Sequence, residues 1–115
     1  MYCVRLKRLW LIGLLASSLA GVQALAGVYL VQGGTITHVT STNGNTASFA
    51  VQVTGGSVNS CVGVWINFNQ VDAADADTFK RAFAAALLAY TTGNQVLIYN
   101  YLDTTCQRAG YIELN

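Results

Sequence analysis

The sequence holds no proline, one histidine and few charges, and each shortage removes a class of function. Without proline there is no proline-rich linker, and no low-complexity tail or internal repeat divides the 115 residues, so one domain is expected. With His38 as the sole imidazole, no metal site built on histidines can form, and no Cys-x-x-Cys spacing offers one built on thiolates. Nothing places a serine beside His38, so a Ser-His-Asp triad has no footing. Glu113 has no acidic partner nearby, which argues against paired-carboxylate glycosidase chemistry. Asp72, Asp75 and Asp77 lack the glycine and distal glutamate of a calcium loop. The reading is therefore of a non-enzyme with no cofactor.

A run long enough to cross a membrane is also missing. Met1 to Arg8 carries Arg5, Lys7 and Arg8 without an acid. Leu9 to Val22 is apolar but falls short of the roughly 20 residues a spanning helix needs. Ala24-Leu25-Ala26 then offers small residues for cleavage. Basic, apolar, small is the order of a secretory signal peptide. Residues 1–26 are read as that leader and 27–115 as the mature domain, secreted or periplasmic, with no membrane span after cleavage. The leader takes three of the six basic residues and none of the five acids, so the mature chain carries −2. Such a charge-poor, weakly acidic domain does not suit nucleic acid, whose backbone rewards clustered Lys and Arg. Cys61 and Cys106 remain, and an even pair in an exported domain reads as a disulfide.

What is present is strand pattern. Gly27 to Thr40 is β-branched and aromatic, broken by Gly33-Gly34 as a bulge within one long strand or a turn between two. Ser41 to Asn45 is a turn around Asn43-Gly44. Thr46 to Thr54 alternates, with Phe49, Val51 and Val53 on one face. Cys61 to Asn69 reads as a third strand with Val62, Val64, Ile66 and Phe68 inward. The period then becomes helical: Phe79, Ala82, Phe83, Ala86, Leu87 and Tyr90. Asp75 or Asp77 caps the start and Gly93 the end. Val96 and Ile98 then alternate with Leu97, Tyr99 and Tyr101, and Ala109 to Leu114 closes the chain. This order predicts an α+β, mainly β domain: a small five-stranded OB-type Greek-key barrel with one helix between the third and fourth strands, with a helix-backed antiparallel sheet as the alternative.

Two surfaces are candidates for contact. Trp65, Tyr99 and Tyr101, with Asn67, Gln95 and Asn100 nearby, fit sugar binding by aromatic rings; packing around the barrel and the Cys61–Cys106 bridge is the reading favoured, since aromatics are common in strands for packing alone. On the helix, Lys80, Ala84, Ala85 and Leu88 lie away from Phe79 and Phe83. Alanine there is either a good helix former left in water or a small side chain that lets a second subunit approach.

Tyr90 to Tyr99 reads Y-T-T-G-N-Q-V-L-I-Y. It resembles the helix-to-strand junction in the pentameric B subunits of subtilase-type cytotoxins and their typhoid- and pertussis-toxin-like relatives. It is similar, too, to short exported bacterial proteins of unknown function with a C-x-x-x-W … T-F-K-R-A … T-T-G-x-x-V-x-I-Y-x-Y pattern. The likeness covers Cys61 to Tyr101. It implies an OB-type barrel, export, a pentameric ring with helices facing its centre, and glycan binding on the outer surface. Ser41 and Asn43 lie in the polar segment corresponding to the early part of those subunits that meets sugar.

Overall fold

The first strand is the spine. In the computed structural model, which describes residues 27–57 and 61–115, strand β1 spans Val28–Ser41 and pairs on both sides. Its Val, Ile, Thr and Tyr residues favour extended backbone. Gly33 takes φ 84°, a conformation side chains resist, and kinks the strand without ending it. The glycine pair is thus a bulge within one strand. The register against the neighbours shifts at Tyr29/Val31 and Gln32/Gly34 on one side and at Ile36/His38 on the other. These shifts let both Leu30 and Val31 be buried.

Four shorter strands complete an antiparallel sheet: β2 Ser48–Thr54, β3 Ile66–Asn69, β4 Gln95–Asn100 and β5 Tyr111–Leu114. Their order is β3-β2-β1-β4-β5. The expected barrel does not close. β3 and β5 remain the two edges, linked only by one isolated parallel bridge between Phe68 and Ala109, ahead of β5. The outer edge of β3 bonds to the residues before β5: the Asn67 N–H donates to the Cys106 carbonyl and the Ala109 N–H to the Asn67 carbonyl, and β5 begins only at Tyr111, past that contact.

β3 is shorter than the sequence suggests. Gly63 at φ 84° breaks the extended run, and residues 61–64 form turns. Val62 and Val64, expected in the core, are exposed, whereas Ile66 and Phe68 are buried. Cys61 is also buried and is bonded to Cys106, as the pair of cysteines predicts.

Helix α1, Ala76–Thr92, lies between β3 and β4 in the chain and covers one face of the sheet, against β1 and β5. Asp75 is its N-cap: the Thr78 backbone N–H donates to Oδ1 at 2.7 Å. Gly93 ends it in the left-handed conformation, φ 78°, and its N–H donates to the Ala89 carbonyl. The fully buried residues of the helix are Ala86 and Ala89, while Phe79, Ala82 and Phe83 are half-buried against the core. The small side chains of Ala86 and Ala89 let the helix approach the sheet closely. Leu87 and Tyr90, expected inward, fall to the flank of that face and are exposed.

Phe49 centres the packing. Its ring stacks on Phe68 at 4.4 Å and meets Phe83 at 5.0 Å and Phe79 at 5.5 Å. Val31, Val51, Val53, Ile66, Val96 and Ile98 fill the rest of the core. Residues 1–26, read as a leader, lie outside the described residues.

Candidate functional site

With the helix on one face, the other face of the sheet is left to solvent over β1, β4 and β5. Alternation decides what it shows. In β4, Val96, Ile98 and Asn100 point inward, so Leu97 and Tyr99 point outward. In β5, Ile112 and Leu114 pack against the core, so Tyr111 and Glu113 face out. Register then aligns Tyr29 opposite Tyr99, and Tyr99 opposite Tyr111. Tyr101, just past β4, completes the group.

The rings form a continuous run. Tyr29 and Tyr99 lie 4.8 Å apart at 75°, Tyr99 and Tyr101 5.0 Å at 66°, and Tyr101 and Tyr111 6.4 Å at 83°. Edge-to-face contact of this kind satisfies the ring quadrupoles. The four tyrosines, Leu97 and Glu113 line one open cavity of about 490 Å³. Tyr101, the most open of the four rings, keeps 56% of its surface in water. The Tyr111 hydroxyl donates to Glu113 Oε2 at 3.1 Å, and that bond pushes the Tyr111 phenol above its ordinary pKa.

A buried asparagine holds this site together. Asn100 has no exposed surface, and every polar atom of its side chain is used. The N–H groups of Leu102 and Asp103 donate to its Oδ1 at 2.8 and 3.1 Å. Its Nδ2 donates to Asp103 Oδ1 at 2.7 Å and to the Thr105 carbonyl at 2.8 Å. The loop that carries Tyr101 and leads to Tyr111 is thereby wrapped around one side chain. Asp103 also accepts from the Thr105 N–H and hydroxyl at 2.9 and 2.8 Å, and these bonds hold its carboxyl below the ordinary range.

Further along, the loop is fastened to the β3 side. Arg108 donates to Asp72 Oδ1 at 2.9 Å and reaches Asp103 at 3.5 Å. Burial works to raise the pKa of Asp72, but hydrogen bonds from Arg108 and Asn69 outweigh it and the carboxyl lies below its ordinary value. The disulfide ties the same loop to Cys61. The Asn67 backbone N–H donates to the Cys106 carbonyl at 2.9 Å, and the Asn67 side chain to Gln107.

The residues singled out in the sequence do not all meet. Tyr99 and Tyr101 share the tyrosine cavity. Trp65 stands apart, near the β3 edge, beside the His38 ring at 6.1 Å. It lines a separate cavity of about 410 Å³ with Thr40, Val64, Asn67 and Gln107. Ser41 ends β1 and borders a third hollow with Phe49, Phe79 and Phe83, while Asn43 lies in the short helical turn that follows. On the helix, Lys80, Ala84 and Leu88 are exposed and Ala85 is half-buried in a groove with Arg81, Tyr111 and Ile112. Tyr29, Leu97, Tyr111 and Glu113 are the site residues that sequence reading missed. The Y-I-E-L alternation of β5 marks the last two as outward-facing, but only the register places Tyr29 beside Tyr99.

Among the described residues no group of three or more His, Cys, Asp or Glu is placed to hold a metal ion. No helix among them is long and apolar enough to cross a membrane. The fold and its outer face define a small mainly β α+β domain, an open sheet backed by one helix, with a tyrosine-lined cavity. The chain belongs to DUF5992, a family of unknown function, whose model matches residues 10–115. No curated protein and no solved structure matches it, so the resemblance to toxin B subunits has no counterpart there.

Proposed function

We propose that this chain is an exported, non-catalytic binding module whose tyrosine face takes carbohydrate. One observation carries the reading: four tyrosine rings in a continuous run line a single open cavity on the solvent face of the sheet. Tyrosine supplies both an apolar ring for a sugar's C–H face and a hydroxyl for its polar rim. Export is supported by the basic, apolar, small order of the first 26 residues and by the disulfide, which persists in oxidising compartments. The likeness to toxin B subunits adds glycan binding and an OB-type ancestry. The strand order β3-β2-β1-β4-β5, with its bridge from Phe68 to Ala109, supports a partly open relative of that barrel.

A glycan array probed with the processed, disulfide-bonded protein tests this. Signal should concentrate on a defined set of glycans and fall at least about tenfold in Tyr101→Ala, whose exposed ring can be removed without opening the core. A folded sample that binds no glycan refutes the reading.

A second reading has an observation of its own. Leu87, Leu88 and Tyr90 are exposed on the helix, next to Ala84, and a self-associating face would cover them. The chain would then be a structural or accessory exported protein, a homo-oligomer (a pentamer by the resemblance) built through Lys80, Ala84, Ala85 and Leu88. A monomeric solution mass rules that out.

A further inference from the structure

Resting on the carbohydrate reading of the tyrosine cavity, we infer that the cavity selects sugars carrying a free, protonated amine over their neutral N-acetylated forms. The first ground is ring orientation. A flat sugar face stacks best on a ring or rings lying in one plane. Here each ring is turned by 66° to 83° from its neighbour, so the four rings do not form one flat platform. A cation gains from each face it approaches, because the quadrupole makes every tyrosine face negative.

The second ground is charge. Glu113 is the one charged residue lining the cavity, and Tyr111 holds it in place through a single hydrogen bond to Oε2. Neither Lys80, Arg81 nor Arg108 lines that cavity. The ion pairs among the described residues both belong to Arg108, on Asp72 and Asp103. Lys80 and Arg81 stand on α1, and Arg81 borders a separate groove that reaches Tyr111 from the helix side. A carboxylate set among four tyrosine rings is the composition of an aromatic cage for an organic cation. An acetamide in the same place offers no charge to either partner and adds bulk.

The test is a calorimetric titration of the processed, disulfide-bonded protein with two probes of equal length. One is a fully N-acetylated chitin oligosaccharide and the other its de-N-acetylated counterpart, at low ionic strength and at a pH where the amines are protonated. The amine form should bind about tenfold more tightly or better, and the preference should shrink as salt is added. Glu113→Gln should abolish the preference while leaving any binding of the acetylated probe. Glutamine can still accept the Tyr111 hydroxyl, so the variant should fold, which circular dichroism checks. Tyr101→Ala, at an exposed ring, should weaken both probes. Equal or tighter binding of the acetylated probe overturns the cation inference and leaves the carbohydrate reading standing. A preference that survives Glu113→Gln also overturns it, since the charge then acts elsewhere. Binding of neither probe overturns the cation inference, and together with a silent glycan array it overturns both.

Discussion

Replacing Asn100 with alanine should cost about 3 kcal/mol of stability and disable the tyrosine cavity. The wild-type side chain makes four hydrogen bonds from a fully buried position. A hydrogen bond contributes about 0.5–1.5 kcal/mol net, and leaving a buried partner unmatched costs more. Four lost bonds would exceed 3 kcal/mol if all partners stayed dry. The loop is mostly exposed, however, so water can replace some of them, and we take the lower part of the range. For a domain of this size that loss corresponds to a melting point lower by roughly 15 °C. Urea unfolding monitored by far-UV circular dichroism measures it.

Asn100→Asp separates the hydrogen-bond argument from simple packing. It keeps the shape and the acceptor for Leu102 and Asp103, but it turns the donor that faces Asp103 Oδ1 into an oxygen. Two carboxylates then sit where the present contact is 2.7 Å. Their repulsion raises the folded-state pKa of the pair above the unfolded value of about 4. A raised acid contributes its full stability below the unfolded value and loses it as pH rises through the folded one. The deficit of Asn100→Asp relative to wild type should therefore grow from pH 4 upward. A loss under 1 kcal/mol for Asn100→Ala, or a pH-independent deficit for Asn100→Asp, would refute the account of the loop.

Two further outcomes follow from the same loop and its anchors. Removing both cysteines, Cys61→Ala with Cys106→Ala, should cost about 4 kcal/mol, the chain-entropy value for a bond spanning 45 residues; a change in the urea midpoint within error would contradict this. Asp72, Asp75 and Asp103 all have carboxyls held below their ordinary range, so their contribution is present above about pH 4 and is lost as pH falls through the lowered values. Wild-type urea midpoints should accordingly drop on acidification below pH 4, and midpoints that hold steady to pH 2 would exclude it.

Local rules made the helix and the simple strands readable. Asp75 and Gly93 are chemically marked as its ends, and the structure puts both in their capping roles. The alternation of β2 and β4 sorts Phe49, Val51, Val53, Val96 and Ile98 inward without knowledge of any partner strand. The pair Cys61–Cys106 followed from an even cysteine count in a chain expected to be exported. The failures share a cause, which is competition from tertiary contacts. Val62 and Val64 continue the alternating pattern of Ile66 and Phe68, yet Gly63 at φ 84° and the buried bond at Cys61 turn the chain before the strand can begin. Leu87 obeys the helical period, yet Ala86 and Ala89 decide which side lies closest to the sheet because only small residues permit that approach.

The candidate site shows how far such local reading reaches. Tyr99 and Tyr101 declare themselves by alternating with buried residues in one strand. Trp65 carries the same signature in sequence, yet it ends in a different cavity, because β2 and β1 stand between β3 and β4. Tyr29 lies 70 residues from Tyr99 and becomes its neighbour only through the antiparallel register of β1 with β4. That register shifts at Tyr29/Val31 and again at Gln32/Gly34. Move the pairing by one residue and Tyr29 would turn toward the helix. The bulged glycines of β1 therefore do more than bend a strand. Together with the shift at Tyr29/Val31 they set the register in which its first residues face outward, and with it whether the tyrosines of three strands share one surface.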